Sequence, residues 1–239
     1  MDSYGKKIKD WREAKGITQD DMAKVLKVTR PTYNATETNK RDVTINELHI
    51  ICKTLDLTLQ QFLFSSTQPE SYESKMSKFK QIILNCLVFG CDPDNQMITK
   101  TKLSGLVYLC DFAWFYKRKT SMSGLSYRHT EQGPIVDAYY RMIDELYDDG
   151  AINIELRGRA IMLSTNEPSA PTSTLSDKEL GIIEHICKSW RQEPTQATLQ
   201  FIKEQTPWKI CSHGEMIPYD LILKEANSFL PNKLKDAHS

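Results

Sequence analysis

The 239-residue sequence carries no charge of one sign in excess: Lys+Arg and Asp+Glu each number 31. That excludes a chain whose whole surface coats nucleic acid without regard to sequence. Long hydrophobic runs are absent too. The longest, such as IILNCLVFG at 82–90, fall well short of a membrane span. The amino end is polar and has no apolar signal segment, so no targeting segment and no membrane partner are expected. Six cysteines are scattered without a disulfide framework, which points to reduced thiols in a cytoplasm. There is no P-loop, no GxGxxG turn and no nucleophile elbow. The pairs Cys86/Cys91, His185/Cys187 and Cys211/His213 do not have zinc-site spacing. The expectation is therefore no catalytic residue, no metal, no cofactor and no enzyme activity. What remains is an ordinary globular composition, 40% hydrophobic and 26% charged, enough for one or two domains.

The most informative stretch runs from Gly5 to Phe64. Thr18 precedes one short helix and Thr29 a second, each able to cap the helix it opens. A tight polar break separates the two. This is a helix-turn-helix, a device that places its second helix in the DNA major groove. Met22, Ala23, Val25 and Leu26 form the expected inward face, and Val28 fills the turn. Pro31 lies where its missing N–H does least harm. Arg30, Thr32, Asn34 and Ala35 should face outward, with Arg30 and Thr32 nearest the base edges. Gln19 and Thr29 sit where a phosphate can be reached, and Lys40 and Arg41 follow the helix as further phosphate contacts. Tyr33 has the spacing of a core residue. Residues 1–64 hold an excess of only two positive charges, so phosphate contact must be local. If this bundle does not meet DNA, it mediates protein contacts.

These residues resemble the Xre/Cro/C1-type helix-turn-helix repressors through Thr18, Gln19, Ala23, Val28, Thr29, Glu37 and Asn39–Lys40–Arg41. The chain departs from that pattern at Ala35, Thr36 and Asn39, the last tolerating a left-handed backbone. The resemblance implies an all-α DNA-binding domain at 1–64 that reads paired half-sites as a homodimer.

Residues 65–75 are polar, contain Pro69 and lack periodicity, as a linker would. A second domain is expected at 76–232, mainly helical (α+β) with a small β-sheet. Helices are predicted over 76–89, 98–117, 138–149, 175–191, 195–204 and 218–229. The second should be buried on most sides. Asp137 is placed to cap the third and Gly150 to end it; Ser176 and Glu179 form a capping box. AINIEL and AIMLS flank RGR as a hairpin. Residues 118–136 read as loop or short strand.

Asp144, Glu145, Asp148 and Asp149 read as a solvated helix face. His129 and Glu131 are a weak loop pair. Aromatics are richer. Adjacent Tyr139 and Tyr140 cannot both face inward, because helix neighbours diverge by about 100°. Tyr and Trp anchor interfaces, so Trp114, Tyr116, Tyr127, Tyr139 and Tyr140 are candidates for partner contact. Lys117 and Arg118 join them, forming a basic tip with Lys119.

Leu106, Tyr108, Leu109, Asp111, Gly124, Tyr127, Gly133, Pro134, Val136, Leu146 and Gly150 recur in the pattern of the Panacea domain, SocA- or GepA-like. Leu175, Pro207, Trp208, Gly214, Ile217 and Pro218 extend this resemblance over about 76–230. Lys203 stands where relatives often have a His. The resemblance implies a bacterial antitoxin that binds a cognate toxin and holds it inactive; relatives pair with toxins of unrelated folds, several of which stop translation. Operon repression through operator DNA is the expected companion function. Two alternatives stay open: a ligand-sensing transcriptional regulator, and an adaptor presenting a client to a protease.

Overall fold

A computed structural model describes residues 4–55, 57–64, 72–166 and 169–225. The chain divides into two compact units after Met76.

The first unit is all helical: α1 (Tyr4–Ala14), α2 (Gln19–Leu26), α3 (Arg30–Glu37), α4 (Ile45–Thr54) and α5 (Leu59–Phe64). Thr18, Thr29 and Thr44 each accept a backbone N–H at a helix start, and Glu47 completes a capping box with Thr44. Such caps are worth about 1 kcal/mol apiece. Ile8, Met22, Ala23, Tyr33, Ile51, Leu55 and Phe62 form the core. Val25, expected to face inward, is instead 44% exposed; Leu26 and Val28 pack on the core in its place. A Cβ at Gly5 would come within 2.7 Å of the Glu37 carbonyl, so glycine there lets α1 close on the end of α3. Asn39 adopts the left-handed conformation (φ +56°) and its side chain accepts from the Gly5 N–H at 2.9 Å.

The division between the units falls inside α6 (Tyr72–Gly90). This helix starts within the stretch read as a linker, and residues 65–71 of that stretch lie outside the described residues. The centre of the second unit is α7 (Lys100–Arg118), in which every residue from Lys102 to Ala113 is buried. Around it come β1 (Ile98–Thr99), β2 (Tyr127–Thr130), β3 (Gly133–Val136), α8 (Tyr139–Asp148), β4 (Ile152–Arg157) and β5 (Ala160–Thr165). Then follow α9 (Asp177–Trp190), α10 (Thr195–Glu204), α11 (Thr206–Ile210), β6 (Met216–Ile217) and a 3-10 helix, Tyr219–Lys224. Helices α9 and α10, strand β3 and the 3-10 helix all touch α7.

There are two small antiparallel sheets among the described residues, where one was expected. One has the order β1-β5-β4, with the predicted hairpin closing at Gly158 (φ +61°). The other, β3-β2-β6, is built from strands of two to four residues, too short for alternation to register. The Ser176–Glu179 capping box forms, and Gly150 (φ +71°) follows the end of α8. Asp137 does not cap α8. It pairs with Arg128 at 2.6 and 2.8 Å, and Ala138 stands at the helix start without a side-chain bond. The 218–229 helix is a 3-10 turn as far as Lys224, and 226–232 lie outside the described residues.

Candidate functional site

Helix α3 presents the residues expected to meet DNA, but in unequal states. Arg30 is exposed, and its guanidinium lies 3.3 Å from Asp20 with both side chains more than half exposed. Such a pair contributes about 0–1 kcal/mol, so the guanidinium is free to exchange Asp20 for a base edge. Thr29 and Thr32 share a hydroxyl contact of 2.8 Å. Asn34 and Lys40 are exposed. Gln19 and Arg41 are otherwise employed. Gln19 donates to Glu37 at 2.8 Å and to Asn34 at 3.3 Å. Arg41 pairs with Glu47 at 2.5 Å and donates to the Thr36 hydroxyl at 3.1 Å. Both therefore position α3 as well as flank it.

Beneath that surface lies a buried ion pair. Arg12 and Glu37, buried to within a few per cent, form a two-pronged pair at 2.5 and 3.1 Å. Arg12 also donates to the Ile17 carbonyl at 2.9 Å. Burial opposes the Glu37 carboxylate, but hydrogen bonds from Arg12 and Gln19 outweigh it and hold its pKa below the usual value. The pair ties α1 to the end of α3. Arg30→Ala should weaken binding to the operator by about 1–3 kcal/mol, roughly 5- to 150-fold, and relax one base position. A gel-shift titration over single-base operator variants measures this; unchanged affinity and preference would remove Arg30 from readout.

In the second unit the aromatic and basic candidates fall into three places. Tyr127 and Tyr139 are 1% exposed. Tyr139 donates to the Lys100 carbonyl at 2.8 Å, and Tyr127 reaches Asp111 at 3.3 Å. Both are core residues, which corrects their assignment to a contact surface. Trp114, Tyr116, Lys117 and Arg118 share the last turns of α7, half-buried or exposed, with Arg118 over the Trp114 ring at 5.6 Å. Tyr140 is 45% exposed, with Lys100 4.6 Å over its ring. Lys100 and Arg118 open and close a 19-residue helix, about 27 Å apart at 1.5 Å per residue. The surviving candidates thus form two patches at opposite ends of α7.

The interior holds a polar hub. Asp111 is fully buried and accepts from the Met122 N–H at 2.7 Å, Tyr219 at 2.8 Å, Ser121 at 3.1 Å and the Ser123 hydroxyl. Burial pushes its pKa up, against the pull of these donors. The hub ties residues 121–125 and the 3-10 helix to α7. The sulfurs of Cys86, Cys110 and Cys187, from α6, α7 and α9, lie within 4.8 Å of one another in the core. Burial pushes the Cys86 and Cys110 thiols well above their usual pKa, as befits protonated core thiols. Cys187 thus groups with residues far off in sequence. The His129 ring stacks on Trp208 at 3.5 Å. The acidic face of α8 is a solvated one: Lys80 bridges Glu145 and Asp149 at 3.9 and 2.7 Å.

Near the start of α7 a cleft of about 700 Å³ opens among Thr99–Thr101, Gln132–Gly133, Tyr140 and the Arg159–Ile161 segment. Among the described residues, no helix is long and apolar enough to cross a membrane.

Comparison with known families agrees with this two-part architecture. Residues 8–62 match the family model for a helix-turn-helix, and residues 103–209 match that of the antitoxin SocA-like, Panacea domain. The chain joins a helix-turn-helix domain to an antitoxin SocA-like Panacea domain. No curated protein and no solved structure matches it.

Proposed function

We propose that this chain is the antitoxin of a bacterial toxin–antitoxin pair, working in the cytoplasm by binding and not by catalysis. Its Panacea half neutralises a cognate toxin by direct contact, covering or distorting the toxin's substrate site. Its helix-turn-helix half represses the operon as a homodimer on paired half-sites. The observation that carries this is the presence of both family matches, on separate compact units, in one chain. The exposed, weakly tethered Arg30 at the start of α3 supports the DNA-reading part. Co-purification tests the reading. The tagged chain should retain the product of the adjacent reading frame through gel filtration and shift the DNA upstream of both. A neighbour that is folded, expressed and not retained would move the weight to a ligand-sensing regulator.

A further inference from the structure

We infer that the cleft at the start of α7 is the docking slot for the partner toxin, and that it receives an extended acidic segment flanked by an aliphatic residue. The inference rests on the antitoxin reading and adds the place and chemistry of contact. The cleft draws its walls from α7, the β2–β3 turn, α8, the β4–β5 hairpin and the start of α10. Its volume, about 700 Å³, is ample for several side chains. Lys100 and Arg159 both line it, and no Asp or Glu does. Neither cation has a carboxylate partner among the described residues; Lys100 rests on the Tyr140 ring alone. Two cations with no counter-charge in one concavity set up a positive potential that only an incoming anion neutralises. Of the hydroxyls lining it, Ser104 and Thr130 donate to backbone carbonyls and Thr99 and Thr195 bond to each other, so Lys100 and Arg159 carry its charge recognition.

A small anion would leave half of the surface unexplained. On the β4–β5 hairpin Leu156 faces Ile161 and Ile154 faces Leu163, so all four lie on one side of the sheet. Leu163 is fully buried, whereas Ile154, Ile161 and Leu156 are 37, 38 and 72% exposed. The apolar face thus runs from the core out to the hairpin tip, and Ile161 belongs to the cleft wall. Cationic cleft and apolar stripe are continuous through that residue. Tyr140 also lines the cleft, an aromatic of the kind favoured at interface centres. A nucleic acid fits less well. It needs a track of cations along its phosphates, and along β4 the next cation, Arg157, has the Glu155 carboxylate beside it at 2.8 Å, a negative charge that would repel a phosphate.

The test uses the full chain and the purified product of the adjacent reading frame. Lys100→Glu/Arg159→Glu should weaken the complex at least about 10-fold and flatten its salt dependence. Leu156→Gln, which removes apolar surface and adds no charge, should weaken it without changing the salt slope. Lys178→Glu, an exposed charge on α9 outside the cleft, should stay within about two-fold. Arg159 is exposed in a turn and Lys100 opens a helix where Glu is favourable, so folding should persist; Arg159→Ala gives a milder loss in the same direction. Wild-type affinity in the double variant overturns this inference while leaving the antitoxin reading intact. Failure of the wild-type chain to bind its neighbour sinks both. A single-stranded RNA oligonucleotide that binds the wild-type chain and not the double variant would assign the cleft to nucleic acid and overturn the proposal.

Discussion

Replacing Glu37 with alanine should destabilise the helix-turn-helix unit by about 3 kcal/mol, because the Arg12 guanidinium loses its buried counter-charge and keeps only the half-exposed Glu13 carboxylate at 3.1 Å. The two side chains are 8% and 1% exposed and share two contacts. Urea unfolding of the full chain, followed by fluorescence with Trp114, Trp190 and Trp208 replaced by Phe so that Trp11 alone reports, measures the loss; a change under about 1 kcal/mol would contradict a buried pair. The pH dependence has a definite sign. The folded-state pKa of Glu37 is depressed, so its contribution is complete above the unfolded value, about 4.3. It is lost as the pH falls through the folded one. Glu47, lowered by hydrogen bonds from Arg41 and Thr44, acts in the same direction. Acid should therefore loosen α3 and weaken DNA binding, and Glu37→Gln should flatten that part of the slope.

Asp111→Ala should have a comparable effect on the second unit. It leaves the Met122 N–H and the Ser123 hydroxyl without an acceptor in the core, while the Tyr219 hydroxyl keeps the Leu125 carbonyl at 2.7 Å. Each donor so stranded costs about 1–3 kcal/mol. A loss of about 3 kcal/mol or more is expected, with early melting of residues 121–125 and the 3-10 helix seen by hydrogen exchange. Asp111→Asn keeps one acceptor oxygen and should cost less. The linkage runs opposite to that of Glu37. Burial raises the Asp111 pKa, so its contribution is complete below the unfolded value and declines as the pH rises through the folded one. A stable Asp111→Ala variant with native exchange protection would show that the hub does not hold the loop.

What could be read from the sequence was local. Thr18, Thr29 and Ser176–Glu179 cap helices within three residues of themselves, and Gly150 ends one. The helix-turn-helix was legible for the same reason. The errors arose where a longer-range partner won. Asp137 was placed to cap α8, but Arg128 on the neighbouring strand takes its carboxylate. Val25 falls on the apolar side of α2 by type and yet no helix covers it. Helical geometry required that one of Tyr139 and Tyr140 turn outward, without saying which. Tyr127 looked available because strand β2, which turns it against Phe112 and Asp111, was too short to recognise. The cleft and the thiol cluster were beyond reach, since Lys100 and Arg159, or Cys86, Cys110 and Cys187, are brought together only by the fold.

The two matched domains suggest an economy of mechanism. On the proposed function one unit recognises DNA and the other a protein, so loss of one function by mutation need not impair the other. Arg30→Ala should leave neutralisation intact, and Lys100→Glu/Arg159→Glu should leave operator binding intact.

The most direct test of the central claim is growth. The adjacent reading frame is expressed alone and together with this chain, with both products verified by immunoblot. Arrest alone and recovery together is the predicted result. Normal growth with the neighbour expressed alone, or arrest that this chain does not relieve, would contradict the antitoxin function.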